Sequence, residues 1–180
     1  MRAIFIAAAL LLASPAIAAP GDTIIKSEDG LDFVVPKGSP VVLNSQGYYA
    51  EFGFRGEFTL TGTFTFGYSP DDPPEEPRQR FVFRLDPASA RLLPHWPGGL
   101  AREIGFSNLD AFLAAMIPAE QLAAIRANHK GIVSGRVSIR ADSWHTIIGC
   151  GDAYYSARYV KTRTRLQRLA PQPLPDLPDC

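Results

Sequence analysis

The 180-residue chain is short of cysteine, histidine and net charge, with two Cys, three His, and 18 basic against 18 acidic side chains. Two cysteines cannot staple a disulfide-dense scaffold, and at this length none is needed, because one domain of this size buries its own core. The histidines, His95, His129 and His145, have neither HxH nor HxxxH spacing, so no local metal motif is present. A formal charge of zero argues against a general nucleic-acid binder. Long apolar runs are also missing, and nothing after residue 18 is long enough to span a bilayer as a helix.

What is plentiful is apolar and aromatic. Hydrophobic residues make up 46% of the chain, with 11 Phe, 6 Tyr and 2 Trp, which is a globular composition and not a disordered one. Sixteen Pro and 15 Gly imply many turns or extended linkers and argue against an all-helical fold. The first residues read as a secretory signal peptide. Arg2 gives a positive start, Ala3–Ala13 an apolar stretch, Pro15 a break, and Ala16-Ile17-Ala18 a small-x-small cleavage pattern. Eleven apolar residues rise only about 16 Å as a helix, roughly half of a hydrocarbon core, so an anchor is the poorer reading. Cleavage after Ala18 places the mature chain in the periplasm or outside the cell. The expected organisation is a signal peptide over 1–18, a single β-rich domain over 19–169 and a Pro-rich tail over 170–180.

Period-two patterning dominates the body. From Gly56 to Tyr68 the apolar Phe58, Leu60, Phe64, Phe66 and Tyr68 alternate with Thr59, Thr61, Thr63 and Thr65, which predicts a half-buried strand. Tyr48, Ala50, Phe52 and Phe54 alternate upstream, and Arg55-Gly56 between the two runs predicts a hairpin. Arg78–Leu85 alternates again and is expected to return beside the Thr-rich strand. Shorter strands are expected at Thr23–Lys26, Leu31–Val35 and Val41–Leu43. Between Ser107 and Gly131 the period changes: Leu109, Phe112, Leu113 and Met116 recur at helical steps. Ser107 with Asp110 fits a capping box, Pro118 starts a second helix, and Gly131 is its expected C-terminal cap. Strands resume at Val133–Arg140, turn at Ala141-Asp142-Ser143, and continue over Trp144–Cys150 and Ala153–Leu166.

Leu60–Phe66 (LTGTFTF) and Val133–Ile139 (VSGRVSI) share the pattern apolar, hydroxyl, Gly, x, apolar, hydroxyl, apolar. A mid-strand Gly marks a bulge or bend of the kind that lets a strand curl. These features together predict a β-rich (α+β) fold, a small barrel or sandwich of antiparallel strands with a two-helix insert near 107–130. The layout resembles OB-like small barrels, a likeness of architecture that does not fix function.

Candidate sites follow from composition. Cys150 lies in Gly149-Cys150-Gly151-Asp152; as a thiol nucleophile it would need a base, and His145 five residues away falls on the opposite strand face. In an exported chain the two cysteines are expected to pair, Cys150 with Cys180. The strand face Lys161, Arg163 and Arg165, extended by Arg158 and Arg168, is a basic run without an acid. It is either edge protection or a docking surface for a phosphate, lipid A, a peptidoglycan carboxylate or an acidic protein. The acidic loop Asp71–Glu76 is a possible intramolecular counter-charge. With Tyr154, Tyr155 and Tyr159 nearby, aromatic plus Arg gives the composition of an interface hot spot. The expected ligand-binding residues are therefore Tyr155, Arg158, Tyr159, Lys161, Arg163 and Arg165, with no catalytic residue, metal or cofactor assigned. The function read from this is a secreted or periplasmic binding module for an anionic envelope component or protein partner, with no nucleic acid and no transmembrane segment. The rivals are a hydrolase or thiol enzyme using Cys150 or a His site, and a structural envelope protein.

Overall fold

The computed structural model describes residues 19–175 apart from 29, 49, 74, 98, 150 and 151. The signal-peptide segment and both cysteines lie outside the described residues. The elements in chain order are β1 (Thr23–Lys26), β2 (Asp32–Val35), β3 (Val42–Gly47), β4 (Glu51–Arg55), β5 (Phe58–Tyr68), β6 (Gln79–Leu85), α1 (Pro87–Ala90), β7 (Glu103–Phe106), α2 (Leu109–Met116), α3 (Ala119–Asn128), β8 (Gly131–Gly149), β9 (Asp152–Thr162) and β10 (Gln167–Leu169).

Five strands close a barrel in the order β5-β6-β7-β9-β8 and back to β5. The pairings are antiparallel except that β7 and β9 run parallel, through Gly105 opposite Ser156 and Phe106 opposite Ala157. With the helical pair inserted between β7 and β8, this is the β-rich, OB-like barrel that the strand patterning predicts. β7 itself was not anticipated, because Glu103-Ile104-Gly105-Phe106 is too short to show a period.

The alternation in β5 works as read: Phe58, Leu60, Phe64, Phe66 and Tyr68 are buried. The two echoing segments turn out to be neighbours. Leu60–Phe66 pairs antiparallel with Val133–Ile139 throughout, so the hydroxyl positions meet across the ladder. Thr61 bonds Ser138 at 3.1 Å and Thr65 bonds Ser134 at 3.2 Å, a cross-strand pairing that stabilises the sheet. Both mid-strand glycines sit where the wall curls tightly. A Cβ on Gly62 would strike the Arg84 carbonyl oxygen and approach the Phe83 ring to 2.7 Å; one on Gly135 would meet Phe64 at 2.9 Å and Leu166.

The expected hairpin between Tyr48–Phe54 and the Thr-rich strand does not form. β4 pairs with β3, and both β4 and β5 lie along the same side of β8, Phe52 opposite Thr146 and Phe58 opposite Ala141. They are successive parts of one bent strand. A two-residue reversal needs positive φ at both central residues or Gly first, whereas here only the second residue, Gly56 (φ 136), takes that region. Likewise Ala141-Asp142-Ser143 is no turn: β8 continues through it with a register shift, and Ser143 at φ 54 absorbs the extra residue.

The helices bring Phe112, Leu113 and Met116 into the core. Phe112 meets the rings of Phe64, Phe81, Phe83, Phe106 and Tyr159. The capping box is absent. The N-cap is Asn108, whose amide bonds both the N–H and the C=O of Tyr159 at 2.8 Å, tying the helix start to β9. At the end of α3 it is His129 (φ 50), and not Gly131, that takes the left-handed cap position; Gly131 opens β8. A second aromatic layer, Phe33, Phe52, Phe54 and Trp96, joins the β1–β2 hairpin to β4. Trp144 stacks on Tyr155 beneath it.

Candidate functional site

The structure divides the six residues read as a contact surface. Tyr155 faces inward, its hydroxyl accepting from the Trp96 N–H at 3.0 Å, and burial pushes its phenol above the usual tyrosine range. Tyr159 faces inward onto Phe106 and Phe112. A bulge makes the difference: Tyr159 is opposite Ala141 while Lys161 is opposite Arg140, leaving Val160 as the extra residue and turning Lys161 outward. Tyrosines and cations that share odd numbering therefore point opposite ways. Only Tyr154 of the three is exposed.

Arg158 is not a free cation. Its Nε and Nη2 donate to the two carboxylate oxygens of Asp142 at 2.7 and 2.5 Å, and those bonds hold the Asp142 carboxyl below its usual range. The acidic loop is not the counter-charge of the basic run either. Asp72 pairs with Arg80 and Glu76 with Arg78, both from β6 and its approach, because β5–β6 hairpin geometry folds the loop back on its own strand.

What remains is a smaller cationic group at one end of the barrel wall. β9 ends at Thr162, so Arg163 and Arg165 lie on the irregular segment before β10 and not on a strand. Three hydrogen bonds pin that segment to β8, from the Arg163 and Thr164 N–H groups to the Ser138 carbonyl at 2.8 and 3.3 Å and from the Ser138 N–H to the Thr164 hydroxyl at 2.9 Å. Arg163 then reaches across to the Thr59 hydroxyl at 3.5 Å. Thr59 is opposite Arg140, which is opposite Lys161. Thr59, Arg140 and Lys161 thus form one cross-strand row that Arg163 reaches over, all exposed or half-exposed, with Glu57 at 3.2 Å from Arg140 as the one carboxylate bonded to the group among the described residues. Arg140 was missed in the sequence because it sits in a different strand, 21 positions before Lys161. Its place on the polar face of Val133–Arg140 was legible; its cross-strand partner was not.

Two adjoining clefts occupy the other end of the wall. The larger, about 770 Å³, lies among Tyr68, His129, Lys130, Pro73, Pro77 and Pro171. The second, about 640 Å³, lies between the acidic loop and the tail. Among the described residues no group of three or more His, Cys, Asp or Glu side chains is placed to hold a metal ion, and no helix is long and apolar enough to cross a membrane.

Fold and geometry together define a small OB-like barrel with a cationic corner and a tail laid over its wall. The chain matches no protein-family model, no curated protein and no solved structure.

Proposed function

We propose that the protein is an exported binding module that docks an anionic envelope component at the corner formed by Arg140, Lys161 and Arg163. The observation that carries this reading is the pairing of Arg140 with Lys161. Like charges directly opposite each other weaken a ladder, and Glu57 offsets only one of the three cations. A bound phosphate or carboxylate would turn that repulsion into charge-assisted hydrogen bonds, with the guanidinium forks supplying paired donors and Thr59 a hydroxyl between them. The cost of displacing water is low at such an open corner, and so is the affinity of any single pair, so the reading needs the three cations acting together.

The test is binding to phosphatidylglycerol vesicles by the wild-type chain and by Arg140→Gln/Lys161→Gln/Arg163→Gln. Wild-type binding that weakens as ionic strength rises from 0.15 M, and a loss of at least about tenfold in the variant, are expected. Competition by inorganic phosphate and by polyglutamate separates a phosphate preference from a carboxylate one. Equal binding by variant and wild type overturns the assignment.

A further inference from the structure

The tail is seated, and the way it is seated describes a ligand. Pro171–Pro175 runs across the outward face of β8, β5 and β6. The Gln172 N–H donates to the Ser134 hydroxyl at 2.9 Å, Arg84 donates to the Pro173 carbonyl at 3.4 Å, and Arg80 donates to the Pro175 carbonyl at 3.3 Å. Beneath it lie Ser134, Thr65 and Val82, three positions in one cross-strand row that face away from the barrel interior and are nevertheless 3%, 1% and 4% exposed. A wall that is polar and solvated at Thr59 and Thr63 becomes dry where the tail crosses it.

The chemistry of this groove suits polyproline. A proline offers a carbonyl and no N–H, so an extended Pro-x-Pro segment is recognised mainly by donors, and two arginines two carbonyls apart supply them. Of the two N–H groups in the stretch, at Gln172 and Leu174, the first meets the Ser134 hydroxyl. Arg80 is held for this role by its nearly buried ion pair with Asp72 on the acidic loop, and Arg84 by Glu103 at 2.7 Å. The anchoring is also sparse. Three hydrogen bonds, two of them long, hold five residues, whereas β10 just upstream is paired in register with β8. Such bonds each contribute little net free energy, so a segment held by three of them is open to competition.

We propose that the outward face of β8, β5 and β6 is a recognition groove for extended proline-rich peptides, that Pro171–Pro175 fills it in cis, and that a proline-rich segment of a partner protein docks by displacing the tail. This site is separate from the cationic corner, and either proposal stands without the other. A tail tethered directly after β10 competes at millimolar effective concentration, so the intact chain should bind such a peptide weakly and a chain with a released tail should bind it well.

The experiment uses the full chain, under reducing conditions, with Pro171→Gly/Pro173→Gly/Pro175→Gly to remove the preorganisation of the tail while keeping its length. The probe is fluorescein-labelled Leu-Ala-Pro-Gln-Pro-Leu-Pro, followed by anisotropy. Binding by the glycine variant roughly tenfold or more tighter than by wild type is expected, abolished by adding Arg84→Gln and unchanged by adding Arg55→Gln. No binding by a glycine variant that keeps the wild-type near-ultraviolet circular dichroism, or binding indifferent to Arg84→Gln, overturns the proposal. Should the glycine variant not fold, the wild-type chain is titrated with unlabelled peptide to millimolar concentration. Saturable amide shifts at Thr65, Val82 and Ser134 in its nitrogen-15 spectrum support the groove, and their absence overturns it.

Discussion

Replacing Phe112 with alanine tests whether the helical insert is structural to the barrel or an appendage on it. Phe112 is fully buried, and its ring lies 4.7 Å from Phe106, 5.3 Å from Phe64, 5.5 Å from Phe81 and Tyr159, and 6.0 Å from Phe83, centroid to centroid. These neighbours come from β5, β6, β7 and β9, four of the five strands of the ring. Truncating a buried Phe costs about 3 to 5 kcal/mol, the lost transfer energy plus the cavity left behind. The upper half of that range applies, because the site cannot collapse: Asn108 fixes the helix start to the Tyr159 backbone through two 2.8 Å bonds, so α2 cannot sink to refill the space.

Against a total stability of about 5 to 15 kcal/mol, such a loss takes roughly a quarter or more. At about 2 to 4 °C per kcal/mol for a chain of this size, the melting temperature should fall by some 8 to 20 °C. Phe112→Leu, which keeps most of the apolar volume, should cost less than about 1.5 kcal/mol. Urea unfolding followed by tryptophan fluorescence is the assay, since Trp96 and Trp144 lie in the other aromatic layer and report global unfolding and not the local change. The m-value should stay constant. A loss under about 1.5 kcal/mol for the alanine variant, or equal losses for alanine and leucine, would refute the argument that the helical insert is structural to the barrel.

Two further perturbations probe the wall. Gly62→Ala forces a Cβ against the Arg84 carbonyl and the Phe83 ring and should destabilise by about 2 kcal/mol or more, while Gly105→Ala, with open space at its Cβ position, should be near neutral; similar urea midpoints for the two would refute the close-approach argument. The Arg158 hydrogen bonds hold Asp142 low against the raising effect of burial, so its contribution to stability is complete above the unfolded carboxylate value near 3.9 and is lost as pH falls through the lower folded value. Thermal midpoints of wild type and Asp142→Asn should therefore differ at neutral pH and converge in acid; a gap that stays constant from pH 7 to 2 would remove the ion pair as its cause.

Strand existence was legible and strand partnership was not, and the reason is physical. Phe58–Tyr68 shows its buried face in the chain because a side-chain period of two is local. Which strand it pairs with depends on contacts far apart in sequence, and the Arg55-Gly56 dipeptide suggested a reversal that its φ values do not support. The same limit acted on the tyrosines. Counting parity along Tyr155–Arg165 assumes an unbroken ladder, and one bulged residue, Val160, moves the cations to the opposite side from Tyr159. Capping was misread because Asn108 spends its side chain on a neighbouring strand instead of on its own helix.

The zero net charge, which first argued against a general nucleic-acid binder, acquires a different meaning once the charges are placed. Along the outward wall each of four arginines has its own acid: Arg80 with Asp72, Arg84 with Glu103, Arg136 with Asp86, Arg158 with Asp142. Arg80, Arg84 and Arg136 flank the row where the tail lies, and their acids hold them in place there. Neutrality is thus used up locally, pair by pair, and the balance fails at the far end of the same strands, where among the described residues only Arg140 of the trio Arg140, Lys161 and Arg163 is bonded to a carboxylate, Glu57. From Ser134 under the tail to Arg140 at the corner is six residues of β8, about 20 Å of strand. A single ladder therefore presents a dry, donor-lined groove at one end and an under-compensated cationic corner at the other. A ligand long enough to span both would be a proline-rich segment with an acidic flank, which gives the two proposals a common test: adding acidic residues to one end of the peptide probe should tighten binding only when Arg140, Lys161 and Arg163 are intact.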